Sequence, residues 1–167
     1  MSTAPFSVPN DDLTPWPVDF TRLISALHDM DYAVDILVPD KAAGAVFDRI
    51  PFLFSVDTNG RFFSIRALWE TGIRPHEVGP WVFAASDSWN REKYFPTIYW
   101  MTSEDDTVHI CADFTVNTSA GLSNIQLKEN VNAGLSTGIS AIQYMQHAAD
   151  HTLSLPDVTD DGALTGE

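Results

Sequence analysis

Asn59-Gly60 lies between two apolar runs, 52–56 and 62–68, and this dipeptide is the favoured centre of a two-residue type I′ β-hairpin turn. Such a turn sets Val56 opposite Phe63, Phe54 opposite Ile65 and Phe52 opposite Ala67, so the large apolar side chains of both strands land on one face. A slip of one residue would scatter them. The other face carries Leu53, Ser55, Asp57, Phe62, Ser64, Arg66 and Leu68, a mixture suited to exposure or to pairing.

Helical and strand periods extend the pattern on both sides. Phe20, Leu23, Ile24 and Leu27 recur at i, i+3, i+4 and i+7, which predicts a helix started by Asp19 or Pro17. Tyr32, Val34, Ile36 and Val38 alternate as a strand ended by Pro39, and 40–50 reads as a connection. A second helix is expected from Pro75, with Val78, Trp81, Val82, Ala85 and Trp89 on one face, although Pro80 shifts its regular part toward that residue. Residues 97–102 and 108–116 form a second predicted hairpin around Glu104-Asp105-Asp106. A three-residue loop pairs Trp100 with Ile110, whereas a two- or four-residue loop pairs Met101 with it.

The last element is a long amphipathic helix through Leu127, Val131, Leu135, Ile142, Met145 and Ala149. Gly134 and Gly138 lie inside its apolar stripe. Each costs about 1 kcal/mol of helix stability against alanine, so their presence predicts close approach of the sheet or of another helix, with the sheet preferred. The expected order is α-β-β-β-α-β-β-α, an α+β fold with a five-stranded, mainly antiparallel sheet and helices packed on it.

Composition bounds the rest. A chain of 167 residues, 44% apolar and 19% charged, fits one globular domain whose core needs no disulfide, consistent with the lone Cys111. Residues 1–17 and 151–167, rich in proline, glycine and aspartate, read as flexible tails around a body at 18–150. The net charge is −14, and Asp11, Asp12, Asp19, Asp150, Asp157, Asp160, Asp161 and Glu167 place 8 of these charges outside residues 20–149. That charge disfavours nucleic acid and anionic lipid as partners. No apolar run is long enough to span a bilayer, and residues 1–17 lack the basic and apolar regions of a signal peptide, so the cytoplasm is the expected compartment.

The motifs of common nucleotide, hydrolase and zinc-protease sites are missing from the sequence, and no cofactor or metal is expected. His147 and His151 have the i, i+4 spacing of two metal ligands, but no third ligand accompanies them and a solvated helix end explains them. His109, Cys111 and Asp113 project from one side of a strand. Their i, i+2 spacing of about 7 Å exceeds a hydrogen bond, so a small buried cysteine is the simpler reading than a nucleophile. Arg66 and Asp113 are expected to form a structural charge pair across the sheet. Trp69, Trp81, Trp89 and Trp100 are rich for this length, and are candidates for a partner surface as well as for the core.

Three stretches, Ile50-Pro51-Phe52-Leu53-Phe54-Ser55-Val56-Asp57, Gly60-Arg61-Phe62-Phe63-Ser64-Ile65-Arg66-Ala67-Leu68-Trp69 and Asp87-Ser88-Trp89-Asn90-Arg91-Glu92, resemble the YbjN-domain family of the actinobacterial type. Ala112-Asp113-Phe114-Thr115-Val116-Asn117 and Gln126-Leu127 continue the likeness, which covers about residues 18–150. The resemblance implies a bacterial sensory transduction regulator with a fold similar to type III secretion chaperones, a small acidic dimer that holds a polypeptide. It implies no enzymatic activity and carries no catalytic residue onto this chain. Two further classes stay open, a sensor binding a small molecule between helix and sheet, and an enzyme built on Cys111, His109 and Asp113.

Overall fold

The computed structural model describes residues 6–153. In it the chain runs α1 (Phe20–Asp29), β1 (Asp35–Val38), β2 (Ala42–Phe47), β3 (Ile50–Val56), β4 (Phe62–Glu70), α2 (Trp81–Glu92), β5 (Thr97–Thr102), β6 (Val108–Asn117) and α3 (Asn124–Leu153). The strands form one antiparallel sheet in the order β1-β2-β3-β4-β6-β5. The α+β class is as expected. The sheet has six strands, however, not five, because the segment read as a connection contains β2.

The physical reason lies in small residues and an unusual turn. Ala42-Ala43-Gly44-Ala45 lacks the branched side chains that signal a strand. Its turn into β3 is built by Asp48 and Arg49, both left-handed with φ of 50° and 65°, a type I′ pattern made without glycine. The pairing is nonetheless regular, from Ala42 opposite Ser55 to Phe47 opposite Ile50.

The β3–β4 register agrees with the expectation at every predicted pair. Its turn does not. Only Gly60 is left-handed there, and Asp57 closes the loop by accepting from the N–H groups of Arg61 at 2.7 Å and Phe62 at 2.8 Å. In the β5–β6 hairpin Trp100 faces Ile110, and the Ser103 N–H donates to the Thr107 carbonyl at 2.9 Å. Helix α2 starts at Trp81, with Pro80 in the preceding cap position where a missing N–H costs nothing.

The core lies between one face of the sheet and the helices. Phe54, Phe63, Ile65 and Ile110 of the strands are fully buried, with Leu23 and Leu27 of α1 and Leu127, Val131, Ile142 and Met145 of α3. At Gly134 and Gly138, α3 lies directly on the sheet. A Cβ at Gly134 would fall 2.7 Å from Ile65 Cδ1, and one at Gly138 would fall 2.8 Å from Phe52 Cε1 and 3.2 Å from Ala67 Cβ.

The end of the stretch 1–17 is held to the body. Trp16 pairs with Leu122 through both backbone groups at 3.1 Å, and the Arg22 guanidinium stacks 3.8 Å from the Trp16 ring centre. Arg22 also donates to the carbonyls of Trp16 at 2.6 Å and Leu122 at 2.7 Å. Burial of the indole under a cation offsets the ordering cost that proline-rich composition alone does not reveal. Residues 1–5 and 154–167 lie outside the described part, including most of the predicted C-terminal tail.

Candidate functional site

Alternation along the strands decides what the second face of the sheet presents. With Phe52, Phe54, Ile65 and Ala67 turned to the core, the intervening residues point away from the helices. One row across the sheet runs Asp35, Gly44, Leu53, Arg66, Asp113 and Thr97. The next joins Leu68, Cys111 and Tyr99, and a third joins Glu70, His109 and Met101.

These rows enclose a shallow apolar groove of about 530 Å³ whose lining includes Leu37, Val46, Leu53, Leu68 and Met101 and no residue of α1, α2 or α3. Leu37 and Val46 are 59% and 67% exposed, unusual values for side chains on one continuous surface. Gly44 shapes the floor, because Leu37 leans across it: a Cβ there would fall 3.1 Å from Leu37 Cδ1.

A polar centre sits beside this surface. Arg66 Nε donates to Asp113 Oδ1 at 2.7 Å and Nη2 donates to Oδ2 at 3.0 Å, a bidentate pair. The Tyr99 hydroxyl donates to the same Oδ2 at 3.2 Å, and Arg66 Cζ lies 5.6 Å from the Tyr99 ring centre. The Asp113 carboxylate holds the guanidinium pKa above its usual value, and burial raises the Tyr99 phenol. The pair is half-buried and closed on itself, so it neutralises its own charges within an apolar surround.

Cys111 is 1% exposed, and burial pushes its thiol above the ordinary value. His109, Cys111 and Asp113 do share one side of β6, but both Asp113 oxygens are engaged by Arg66 and Tyr99. This geometry favours a protonated, packed thiol, not an activated one. Among the described residues no group of three or more His, Cys, Asp or Glu is arranged to hold a metal ion. No helix among them is long and apolar enough to cross a membrane.

The four tryptophans do not form one surface. Trp81 and Trp89 are buried, and Trp69 is partly buried with its ring centre 6.4 Å from that of Trp81. Trp89 donates from Nε1 to the Pro96 carbonyl at 2.9 Å and packs 5.3 Å from Tyr144. Trp81 and Trp89 therefore serve the interior, where their large indoles fill the gap between α2 and its neighbours. Trp100, on edge strand β5, is 42% exposed.

Several contributors escape sequence reasoning. Leu37 and Val46 join Leu53 and Leu68 only once β2 is a strand, while the mixed outer face of β3 and β4 was the visible signal. Asn90 escapes too. Its side-chain amide bonds both backbone groups of Ile98 on β5, a contact that only the placement of α2 beside the sheet edge creates.

No curated protein matches the sequence. Among solved structures the fold is similar to that of YbjN from E. coli, described as "a putative transcription regulator". That likeness has a TM-score of 0.65 at 18% identity and covers 86% of this chain and 100% of the other. A weaker likeness, with a TM-score of 0.46 at 15% identity over 80% of this chain and 99% of the other, is to the HopA1-SchA chaperone-effector complex. Another is to the Yersinia pestis type III secretion chaperone SycH in complex with a fragment of YscM2, with a TM-score of 0.42 at 9% identity over 72% and 97%. The sequence itself matches the YbjN family, "Putative bacterial sensory transduction regulator", over residues 20–147. With that match spanning most of its length, the chain belongs to the YbjN family.

Proposed function

We propose that this protein is a non-enzymatic interaction module, a regulatory or chaperone-like adaptor of bacterial signalling that receives another polypeptide on the helix-free face of its sheet. The observation that carries the reading is the apolar groove on that face, where Leu37, Val46 and Met101 stand in solvent beside a self-neutralised Arg66–Asp113 pair. Membership of a family of sensory transduction regulators supports it, as does the protonated, packed state of Cys111. The module works in the cytoplasm. Its net charge of −14 opposes direct contact with nucleic acid, so any effect on transcription passes through a protein partner.

We also propose a homodimer. Phe83 of α2, Tyr94 and Phe95 of the following loop and Trp100 of the neighbouring edge strand are exposed, and a second copy would cover them. This site is separate from the groove, which leaves the groove open for the partner.

The test is capture of bound proteins from native lysate by the wild-type chain and by Leu53→Ser and Leu68→Ser variants of verified fold. The reading expects a protein retained by the wild type, lost from both groove variants and kept by Phe83→Ser. Retention by all variants contradicts it. A second reading, a small apolar ligand in the same groove, is favoured by a volume within the range of small-molecule sites. Ligand-dependent melting without any captured protein would support that alternative.

A further inference from the structure

We infer that the occupant of the helix-free face is a basic amphipathic helix, an inference that rests on the reading of this face as a docking surface. The four inner strands β2, β3, β4 and β6 are paired on both sides, so the floor between the two edge strands offers no free N–H or C=O. An extended chain laid across it would bury its own peptide groups without partners, whereas a helix satisfies them internally.

From β1, which carries Leu37, to β5, which carries Met101, the groove crosses six strands. Five inter-strand steps span about 24 Å, and a helix of about 16 residues has that length. Leu53 and Leu68 lie between the two ends, so apolar residues at helical spacing would meet a largely apolar floor that Arg66 and His109 interrupt.

Charge on the rim selects the sign of the partner. Arg66 is neutralised by Asp113, which leaves the exposed carboxylates of Asp35 at one side of the face and Glu70 at its end without an ion-pair partner among the described residues. The whole chain adds a net charge of −14. Lysine or arginine flanking the apolar stripe of a helix fits this rim, whereas an acidic helix is repelled by it. On this face a second copy would set its own acidic surface against the same rim, which is why the proposed dimer is placed at Phe83, Tyr94, Phe95 and Trp100 instead.

The probe is a synthetic peptide of about 16 residues with leucine on one helical face and lysine on the rest, titrated into the full-length protein by calorimetry. Three controls replace lysine by glutamate, replace leucine by serine, or place proline at the centre. The Leu/Lys peptide is expected to bind, with affinity falling about tenfold in Leu68→Ser, in Met101→Ser and in Asp35→Asn/Glu70→Gln. It should be unchanged in Asp87→Asn, whose carboxylate lies on α2 beside Arg91. The exposed Met101 position keeps the test valid where Leu68→Ser fails to fold.

Equal binding of the glutamate peptide, still sensitive to Met101→Ser, overturns the basic partner and leaves the docking face standing. Equal binding of the proline peptide overturns the helix. Binding that ignores Leu68→Ser and Met101→Ser alike, or follows net charge alone, overturns the inference and removes support from the docking reading itself.

Discussion

Asn90 completes the edge of the sheet at Ile98. Its side-chain amide donates to the Ile98 carbonyl at 2.8 Å and its Oδ1 accepts from the Ile98 N–H at 2.9 Å, as a neighbouring strand would. Because β5 is an edge strand with no charged residue and no proline, this contact matters for more than packing. Unpaired groups on such an edge are a template for another chain. Asn90→Ala should cost about 1 kcal/mol and increase self-association, read by urea unfolding and by light scattering across a concentration series. An unchanged midpoint and unchanged mass would contradict the role.

The two helix glycines make a prediction of opposite sign to helix propensity. Alanine at either position gains about 1 kcal/mol in the helix. Overpacking against the sheet costs about 1–3 kcal/mol. Gly138→Ala meets the ring of Phe52 and the Cβ of Ala67, which have little freedom, whereas Gly134→Ala first meets the end of Ile65. Both should destabilise, Gly138→Ala the more, as denaturant midpoints will show. A stabilised Gly138→Ala would mean that α3 does not lie on the sheet as described.

Arg22 carries a prediction about the N-terminal segment. It is buried, its Nε has no partner, and its other donors reach the carbonyls of Trp16, Pro17 and Leu122 and the Asn124 side chain. Arg22→Leu should release Trp16, with loss of about 1–3 kcal/mol, a red-shifted tryptophan emission and faster proteolysis before residue 18. Unchanged emission would refute the tie.

These devices show what the sequence could and could not disclose. The β3–β4 pairing was legible because alternation and Asn59-Gly60 agreed on one register. Strand β2 was not, since alanine and glycine carry no strand signal and Asp48-Arg49 is an unusual left-handed turn. Two of the five apolar side chains named in the groove, Leu37 and Val46, went unseen with it. Arg66 and Asp113 are read from the sequence as a charge pair on the supposition that the two hairpins are neighbours, and the β4–β6 register sets them opposite one another, with Nε 2.7 Å from Oδ1. Trp81 and Trp89 show the converse: abundance of indoles does not distinguish interior from surface.

Acid should act on the β3–β4 turn through Asp57. The N–H of Phe62, and that of Arg61 beside it, hold its carboxyl below the usual value of 3.8. A depressed folded pKa means that the contribution is complete above the unfolded value and is lost as pH falls through the lower folded one. The amide shifts of Arg61 and Phe62 should titrate together below pH 3.8, and Asp57→Asn should abolish that step. A common midpoint at or above 3.8 would contradict the assignment.

Cys111 should resist alkylation in the native protein at mildly alkaline pH, because it is 1% exposed and its thiol is raised by burial. Reaction with iodoacetamide is expected only on unfolding. Modification at the rate of a free thiol in the folded state would show that the floor beneath Leu68 and Tyr99 opens.

The most direct measurement of the central claim places a photo-crosslinking amino acid at Leu68, at Phe83 or at the exposed Ser136 of α3, in separate full-length variants in living cells. The account predicts a crosslinked protein partner from position 68, a crosslinked second copy from position 83 and neither from position 136. A heterologous partner captured from 83 or 136, with position 68 silent, would contradict it.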